Sequence, residues 1–247
     1  MKQNTEKDQH FLIDEKVLEK EIEVANIKKL DKVIEIGCGG GFLTKQLLNK
    51  SSKVLGFELD ERYKTILEKL SSSNLEMRFE NALNSSWRGF NKIVSNIPYS
   101  ISEPLILKAI KEKIDELVLI VGENFKEILK DKSTKIGLIS DVYYDFEAIE
   151  KVGREKFDPI PRVDSWLIKL KKKKVDSKGK KFQKFLEYEG KIKNSLINIL
   201  TSEGKTKKEA RLAVKNLGLN EFLLNKSVKR ISASGILLIR GALDKAE

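Results

Sequence analysis

Short apolar, β-branched runs alternate along the first two thirds of the chain with segments whose apolar residues recur at helical spacing. The runs at residues 32–37 (KVIEIG), 53–58 (KVLGFE), 75–80 (LEMRFE), 92–96 (KIVSN) and 117–122 (LVLIVG) predict strands, and residues 41–49, 60–70 and 103–113 predict helices between them. Strands this apolar are buried on both faces, and strand–helix alternation implies a mostly parallel sheet covered by helices. Residues 141–152 and 165–171 predict two more strands, close enough in sequence to pair antiparallel at one edge. After Leu170 the run KKKKVDSKGKK has no apolar period and predicts a linker or the start of a basic helix. Residues 182–200, 205–217 and 232–243 then predict helices, with Gly204 and Gly218 placed to stop or separate them. The pattern predicts an α/β domain over residues 1–174 and a small helical domain over residues 175–247, with no internal repeat.

Composition narrows this picture. A chain of 247 residues buries most of its apolar surface without staples. Its single cysteine, Cys38, excludes an intramolecular disulfide, and one cysteine with one histidine, His10, speaks against a zinc site, so no metal is expected. The polar opening MKQNTEKDQH lacks a signal-peptide core, and no apolar run is long enough for a membrane span. The chain reads as a soluble, cytoplasmic monomer without a membrane partner. Net charge is +11 but uneven: residues 169–247 hold 21 Lys/Arg against 8 Asp/Glu, a balance of +13, whereas residues 1–168 hold 27 against 29. A basic appendage on a near-neutral body suits polyanion binding; a solvated Lys-rich face is the plainer reading of the same residues.

Candidate chemistry begins where the first strand runs into Glu35-Ile36-Gly37-Cys38-Gly39-Gly40-Gly41-Phe42-Leu43-Thr44. A glycine-rich turn between strand and helix lets a nucleotide cofactor approach the backbone, and glycine tolerates positive φ there. Glu58 ends the second strand about 20 residues past the first glycine, where a ribose-binding carboxylate belongs. That much fits NAD as well as S-adenosylmethionine (SAM). Phe42 stands where a dinucleotide fingerprint wants its last glycine, and Glu35 would repel a pyrophosphate while suiting an ammonium and a sulfonium. The expected cofactor is SAM.

The fourth strand ends in Asn96-Ile97-Pro98-Tyr99, and ligands of open α/β sheets sit beyond the carboxyl ends of strands. An exocyclic aryl amine is a poor nucleophile because its lone pair is delocalised. The Asn96 amide oxygen and the Ile97 carbonyl can accept its two N–H bonds and favour a pyramidal nitrogen. Pro98 stiffens the carbonyl's placement and Tyr99 offers a stacking face. Pro159 and Pro161 stiffen a second segment, 157–165 (FDPIPRVDS), where Phe157 could form an opposing aromatic wall around a flipped base or be an ordinary core residue.

These residues carry a family likeness. The chain resembles the KsgA-like family of rRNA adenine dimethyltransferases, relatives of the erythromycin-resistance (Erm) enzymes. Gln9-His10-Phe11-Leu12-Ile13-Asp14 and residues 35–44, 96–104 and 157–165 match in order, and the likeness is strong over residues 9–171 and weak beyond. It implies a Rossmann-like SAM-dependent methyltransferase domain with a small C-terminal helical domain. By resemblance, His10 and Leu12 look like the segment closing over the cofactor, Gly37 and Gly39 like the loop glycines, and Glu58 like the ribose carboxylate. Asn96 and Tyr99 look like the target-amine acceptor and stacking ring, with Asn96 also beside the cofactor, and Phe157 like the opposing aromatic. Asn81 stands where the family usually has an Asp bonding the cofactor's adenine amine; its amide oxygen can accept the same bond without the charge, or the neighbouring Glu80 can take part. Cys38 replaces a common Pro, a change expected to be silent.

The resemblance implies transfer of methyl groups to two adjacent adenosines near the 3′ end of small-subunit rRNA, in free rRNA or a pre-ribosomal small subunit. Two alternatives stand beside it. One is Erm-like methylation of a large-subunit rRNA adenosine. The other is a non-catalytic nucleic-acid-binding factor on the same fold, against which the intact Gly37, Glu58, Asn96 and Tyr99 argue.

Overall fold

The computed structural model describes residues 10–70 and 72–244, so Gln9 of the first motif lies outside the described residues. The chain divides into two compact units, residues 1–130 with 144–172, and residues 131–143 with 173–247. The expected linear division at residue 174 differs from this in one respect that matters: residues 131–143 belong with the C-terminal unit.

The first unit is built on strands β2 (Lys32–Ile36), β3 (Lys53–Phe57), β4 (Leu75–Arg78), β5 (Lys92–Asn96), β6 (Glu116–Gly122), β7 (Tyr144–Val152) and β9 (Ser165–Lys172). Their order is β4–β3–β2–β5–β6–β9–β7. The first five run parallel, and β9 pairs antiparallel with both β6 and β7. The alternating apolar runs thus form the expected parallel sheet, with the late pair antiparallel at its edge. Val33, Ile34, Val54, Leu55, Ile93, Val94 and residues 117–121 of β6 are all fully or almost fully buried, as two covered faces demand. The order reverses at β2, where the crevice between β2 and β5 opens at their carboxyl ends.

Helices α1 (Glu15–Ala25), α2 (Phe42–Leu48), α3 (Lys64–Glu68), α4 (Ser102–Lys111) and α5 (Glu123–Lys130) complete this unit. Helix α1 starts because the Asp14 side chain accepts the Val17 N–H at 3.1 Å, and it ends at Asn26 in the left-handed region, φ 41°. Its buried stripe is Val17, Leu18, Glu21, Ile22 and Ala25, a helical spacing with a carboxylate inside it. A short antiparallel ribbon pairs β1 (Phe11–Leu12) with β8 (Phe157–Asp158). It joins the first and last motifs of the resemblance.

The second unit packs α6 (Lys135–Tyr143), α7 (Ser177–Glu187), α8 (Ile192–Ser202), α9 (Lys207–Asn216), α10 (Glu221–Asn225) and α11 (Ala233–Asp244). Its core joins Leu138 and Val142 of α6 to Phe182, Phe185, Leu196, Ile199, Val214, Ile236 and Ile239. Two expectations are corrected here. Residues 141–143 end a helix, and the strand begins only at Tyr144. The single helix expected over 182–200 is two, broken between Glu187 and Ile192, where Gly190 interrupts the pattern. Helix α9 opens on a capping box, Thr206 and Glu209 bonding each other's backbone N–H. Among the described residues no helix is long and apolar enough to cross a membrane, and no cluster of His, Cys, Asp or Glu could hold a metal ion.

Candidate active site

The turn after β2 is built from left-handed glycines: Gly37 at φ 82°, Gly39 at 49° and Gly41 at 76°. Side chains there would be strained, and at two positions they would also collide. A Cβ on Gly39 would lie 2.6 Å from the Phe11 ring, and one on Gly41 2.7 Å from Leu70. Gly37 N–H and Cys38 N–H both donate to the Phe57 carbonyl, at 2.8 and 3.1 Å. Glu58, at the end of β3, closes the turn: its Oε2 accepts Gly39 N–H and its Oε1 accepts the N–H groups of Leu59 and Asp60, all at 2.8 Å. A carboxylate offers about four lone-pair sites, so Glu58 retains acceptor capacity while it holds the loop.

Across the crevice, β5 delivers Asn96. Its Nδ2 donates to the His10 carbonyl at 3.1 Å, which fixes the amide so that Oδ1 is the end left to accept. His10 Nδ1–H donates to the Pro159 carbonyl at 2.8 Å, and the His10 ring stacks with Tyr99 at 6.2 Å between centroids and 27° between planes. The Tyr99 hydroxyl bonds the Ser165 hydroxyl. Gly122 makes room for the ring, since a Cβ there would sit 3.3 Å from it. Ile13 N–H donates to the Lys156 carbonyl at 2.9 Å and Asp14 pairs with Lys156, so the start of the described chain is strapped to the 156–159 segment. The Lys156 contact holds the Asp14 carboxyl below its ordinary range.

These elements enclose a cleft of about 620 Å³. His10, Gly37, Glu58, Asn81, Asn96 and Tyr99 line it, as do Phe11, Asp60, Glu80, Ile97 and Pro98. Of the expected site residues, three are placed elsewhere. Gly39 meets the site through its N–H to Glu58. Leu12 and Phe157 are opposed in the ribbon and both point into the core, Phe157 at 1% exposure. A stacking role for Phe157 therefore requires the ribbon to open, and Leu12 can reach a ligand only through its main chain. Asn81 caps the turn that follows it, its Oδ1 accepting Leu83 N–H at 2.9 Å; the second lone pair of that oxygen remains for a ligand. Residue-type reasoning missed Phe11 and Asp60, whereas Glu80, the alternative to Asn81, does line the cleft. Phe11 sat inside a quoted motif, and the alternation of a strand would have separated it from Leu12 had the register been known.

The electrostatics beneath the loop are unusual. Glu35 is buried, and burial, aided by the nearby charge of Glu58, pushes its carboxyl up to about 8 against the lowering contacts of Thr44 and Cys38. Glu21 of α1 is fully buried, and burial together with the charge of Glu35 raises it well above the usual carboxylate range, with the Ser95 backbone opposing. The Glu21 oxygens, Oε2 of Glu35 and the Thr44 hydroxyl are all buried, and the polar neighbours of the two carboxyls are the Ser95 backbone, Thr44 and Cys38. The Cys38 thiol is buried and free, and burial first, then Glu35 and Glu58, raise it, so it is protonated and unreactive.

Residues 1–216 match the family described as Ribosomal RNA adenine dimethylase. The chain belongs to that family. Among curated relatives, the probable ribosomal RNA small subunit methyltransferase A of Pyrococcus abyssi is 38% identical over 172 residues, 67% of this chain and 64% of the relative. The ribosomal RNA small subunit methyltransferase A of Thermotoga maritima is 33% identical over 186 residues, 72% of this chain and 67% of the relative. The match thus spans slightly less than two thirds of the Pyrococcus protein's length. Among solved structures, a dimethyladenosine transferase from Plasmodium falciparum superposes with a TM-score of 0.66 at 24% identity, covering 96% of this chain and 98% of that one. The 23S rRNA methyltransferase ErmE gives 0.64 at 22% identity, covering 95% and 100%. At those identities the likeness is one of fold, the Rossmann-like methyltransferase fold expected from the motifs.

Proposed function

We propose that this chain is a SAM-dependent methyltransferase that dimethylates the exocyclic amines of two adjacent adenosines near the 3′ end of small-subunit rRNA. The carrying observation is that Asn96, held by the His10 carbonyl, projects from β5 into the same cleft that Gly37 and Glu58 line from β2 and β3. The relatives' names supply the substrate, small-subunit ribosomal RNA.

The cleft suits SAM by its donor set. Glu58, Asp60 and Glu80 line it, and no Lys or Arg does among the described residues. A dinucleotide's pyrophosphate would meet carboxylates with no counter-charge, whereas a ligand of net positive charge is favoured. Glu58 holds the ribose hydroxyls, Asn81 the adenine amine, and the Gly37 turn lies against the methionine portion. When bound, SAM supplies an electrophilic methyl group on a sulfonium.

The remaining chemistry belongs to the chain. Asn96 Oδ1 and the Ile97 carbonyl accept the two N–H bonds of the target amine and aim its lone pair. Tyr99, wedged between His10 and Gly122 and tethered to Ser165, presents a face on which the base stacks. No strong general base is required, because an alkylated aryl amine sheds its proton readily; positioning and electrostatics carry the rate.

The second unit anchors RNA. Residues 173–247 hold 18 Lys/Arg against 8 Asp/Glu, a balance of +10, and Lys173, Lys174, Lys178, Lys181 and Arg240 line a separate cleft of about 620 Å³ within that unit, beside Asp141, Asp176 and Asp244. Phosphate contacts of that kind fix register without reading sequence. Methyl transfer from labelled SAM to small-subunit rRNA tests the proposal, and its absence despite SAM binding would favour the non-catalytic reading.

A further inference from the structure

Two buried carboxylic acids lie under the cofactor turn, and nothing in methyl transfer as described above uses them. Glu35 is at 2% exposure, next to Ile36 and two residues from Gly37, both of which line the cleft. The groups that face it come from every neighbouring element: Glu21 from α1, Thr44 from α2, Glu58 from the end of β3 and Cys38 from the turn. None of them is a cation. Oε2 of Glu35 is buried, as are both oxygens of Glu21, and the polar groups that reach the two carboxyls, Thr44, Cys38 and the Ser95 backbone, are all uncharged. A pair of carboxyl groups so placed cannot both ionise, and in the absence of a counter-charge both keep their protons.

The methyl donor supplies the missing charge. SAM carries a sulfonium, an ammonium and a carboxylate, net +1, and its demethylated product, S-adenosylhomocysteine, carries a neutral thioether and is net zero. We propose that Glu35 is a specificity-determining residue that favours the cationic methyl donor over its neutral product by losing a proton to solvent as the donor binds. The O–H bond of the Glu35 carboxyl breaks and its proton passes to a buffer base, leaving a buried carboxylate beneath the turn that lines the cleft. Glu21 stays protonated throughout, because its ionisation would place a second anion beside the first. The consequence is exchange: after transfer the sulfonium is gone, Glu35 recovers its proton, and the product loses the attraction that held the donor. With Glu35 raised to about 8, the linkage operates across neutral pH.

The inference rests on the reading of the cleft as a SAM site, and titration calorimetry on the full chain separates the two. SAM and S-adenosylhomocysteine are each titrated at about pH 7 in phosphate and in Tris, whose different ionisation enthalpies report protons released. SAM should release close to one proton per site and the product less than about half of one. SAM affinity should rise with pH by up to about tenfold per unit below pH 8 and level off above it, while product affinity changes little. Glu35→Gln should abolish the release, and Glu21→Gln should keep it. Equal release by the two ligands, or none by SAM, overturns the inference while leaving SAM binding intact. Release that survives Glu35→Gln and vanishes in Glu21→Gln overturns the assignment to Glu35. Binding of neither ligand overturns the functional reading and this inference with it. Should Glu35→Gln fail to fold, the comparison of the two ligands on the unaltered protein decides alone.

Discussion

Asn96 spends its donor on the His10 carbonyl and so reserves its acceptor for the target. The reserved bond strengthens as the amine nitrogen becomes pyramidal, which places its contribution in the transition state. Asn96→Ala should therefore lower single-turnover methylation by about 100- to 1000-fold, with SAM affinity within about tenfold of the unaltered protein. Wild-type turnover in that variant would make Asn96 a strap for the His10 segment and nothing more. Glu58 has two tasks, holding the turn and meeting the ligand. Glu58→Gln keeps an acceptor but removes the charge, and calorimetry should show SAM binding weakened by about 2 kcal/mol, near thirtyfold. Unchanged affinity would remove Glu58 from the ligand's contacts. At this scale the sequence was legible where chemistry and strand end coincide, as at Gly37, Glu58 and Asn96. It was illegible where a one-residue alternation decides the face. Phe11 lines the cleft and Leu12 fills the core, and Phe157 follows Leu12 because the ribbon opposes them.

Helix α1 shows the same limit one level up. Its apolar stripe of Val17, Leu18, Ile22 and Ala25 is interrupted by Glu21, which hides the helix from a periodicity reading and then sits fully buried, its carboxyl incompletely satisfied by the Ser95 backbone. An unsatisfied buried polar group costs about 1–3 kcal/mol, so Glu21→Leu should stabilise the protein by that order in urea unfolding. The pH dependence has a definite sign. Glu21 and Glu35 are both raised in the folded state, so the native protein holds more protons than the unfolded chain above the ordinary glutamate range. Their favourable contribution is complete below about pH 4.5 and is lost as pH rises toward 8 and beyond. Glu21→Leu should flatten that decline, and an unchanged slope between pH 5 and about 8 would show that these acids are not responsible. Other elements were legible from pattern alone. Most of the parallel strands were short, mainly apolar runs, the edge strand Leu75–Arg78 alternating instead, and the late antiparallel pair was close in sequence. Helix α6 was not, because Ile136, Leu138, Ile139 and Val142 run without a break into the β-rich Tyr144–Val152, and only packing against the helices of the second unit separates them.

Over the whole molecule, the first unit carries the candidate chemistry and the second most of the net charge. Because Leu138 and Val142 belong to the second unit's core, cutting the chain near residue 174 would strip that core and leave α6 uncovered. Charge substitutions are the cleaner probe. Lys174→Gln with Lys178→Gln should weaken RNA binding similarly for all sequences and reduce the slope of log affinity against log salt by about 0.7–0.9 per lost phosphate contact. An unaltered slope would place the RNA anchor elsewhere. The location of the charge was legible in composition, whereas the recruitment of residues 131–143 across the chain was not, since no local signal encodes a non-contiguous unit. The most direct measurement is of the product itself. Small-subunit particles lacking the modification would be incubated with the protein and SAM, and their rRNA digested and mapped by mass spectrometry. The result predicted is N6,N6-dimethyladenosine at two adjacent positions near the 3′ end, lost with Asn96→Ala. Unmodified adenosines there, or methylation confined to large-subunit rRNA, would contradict it.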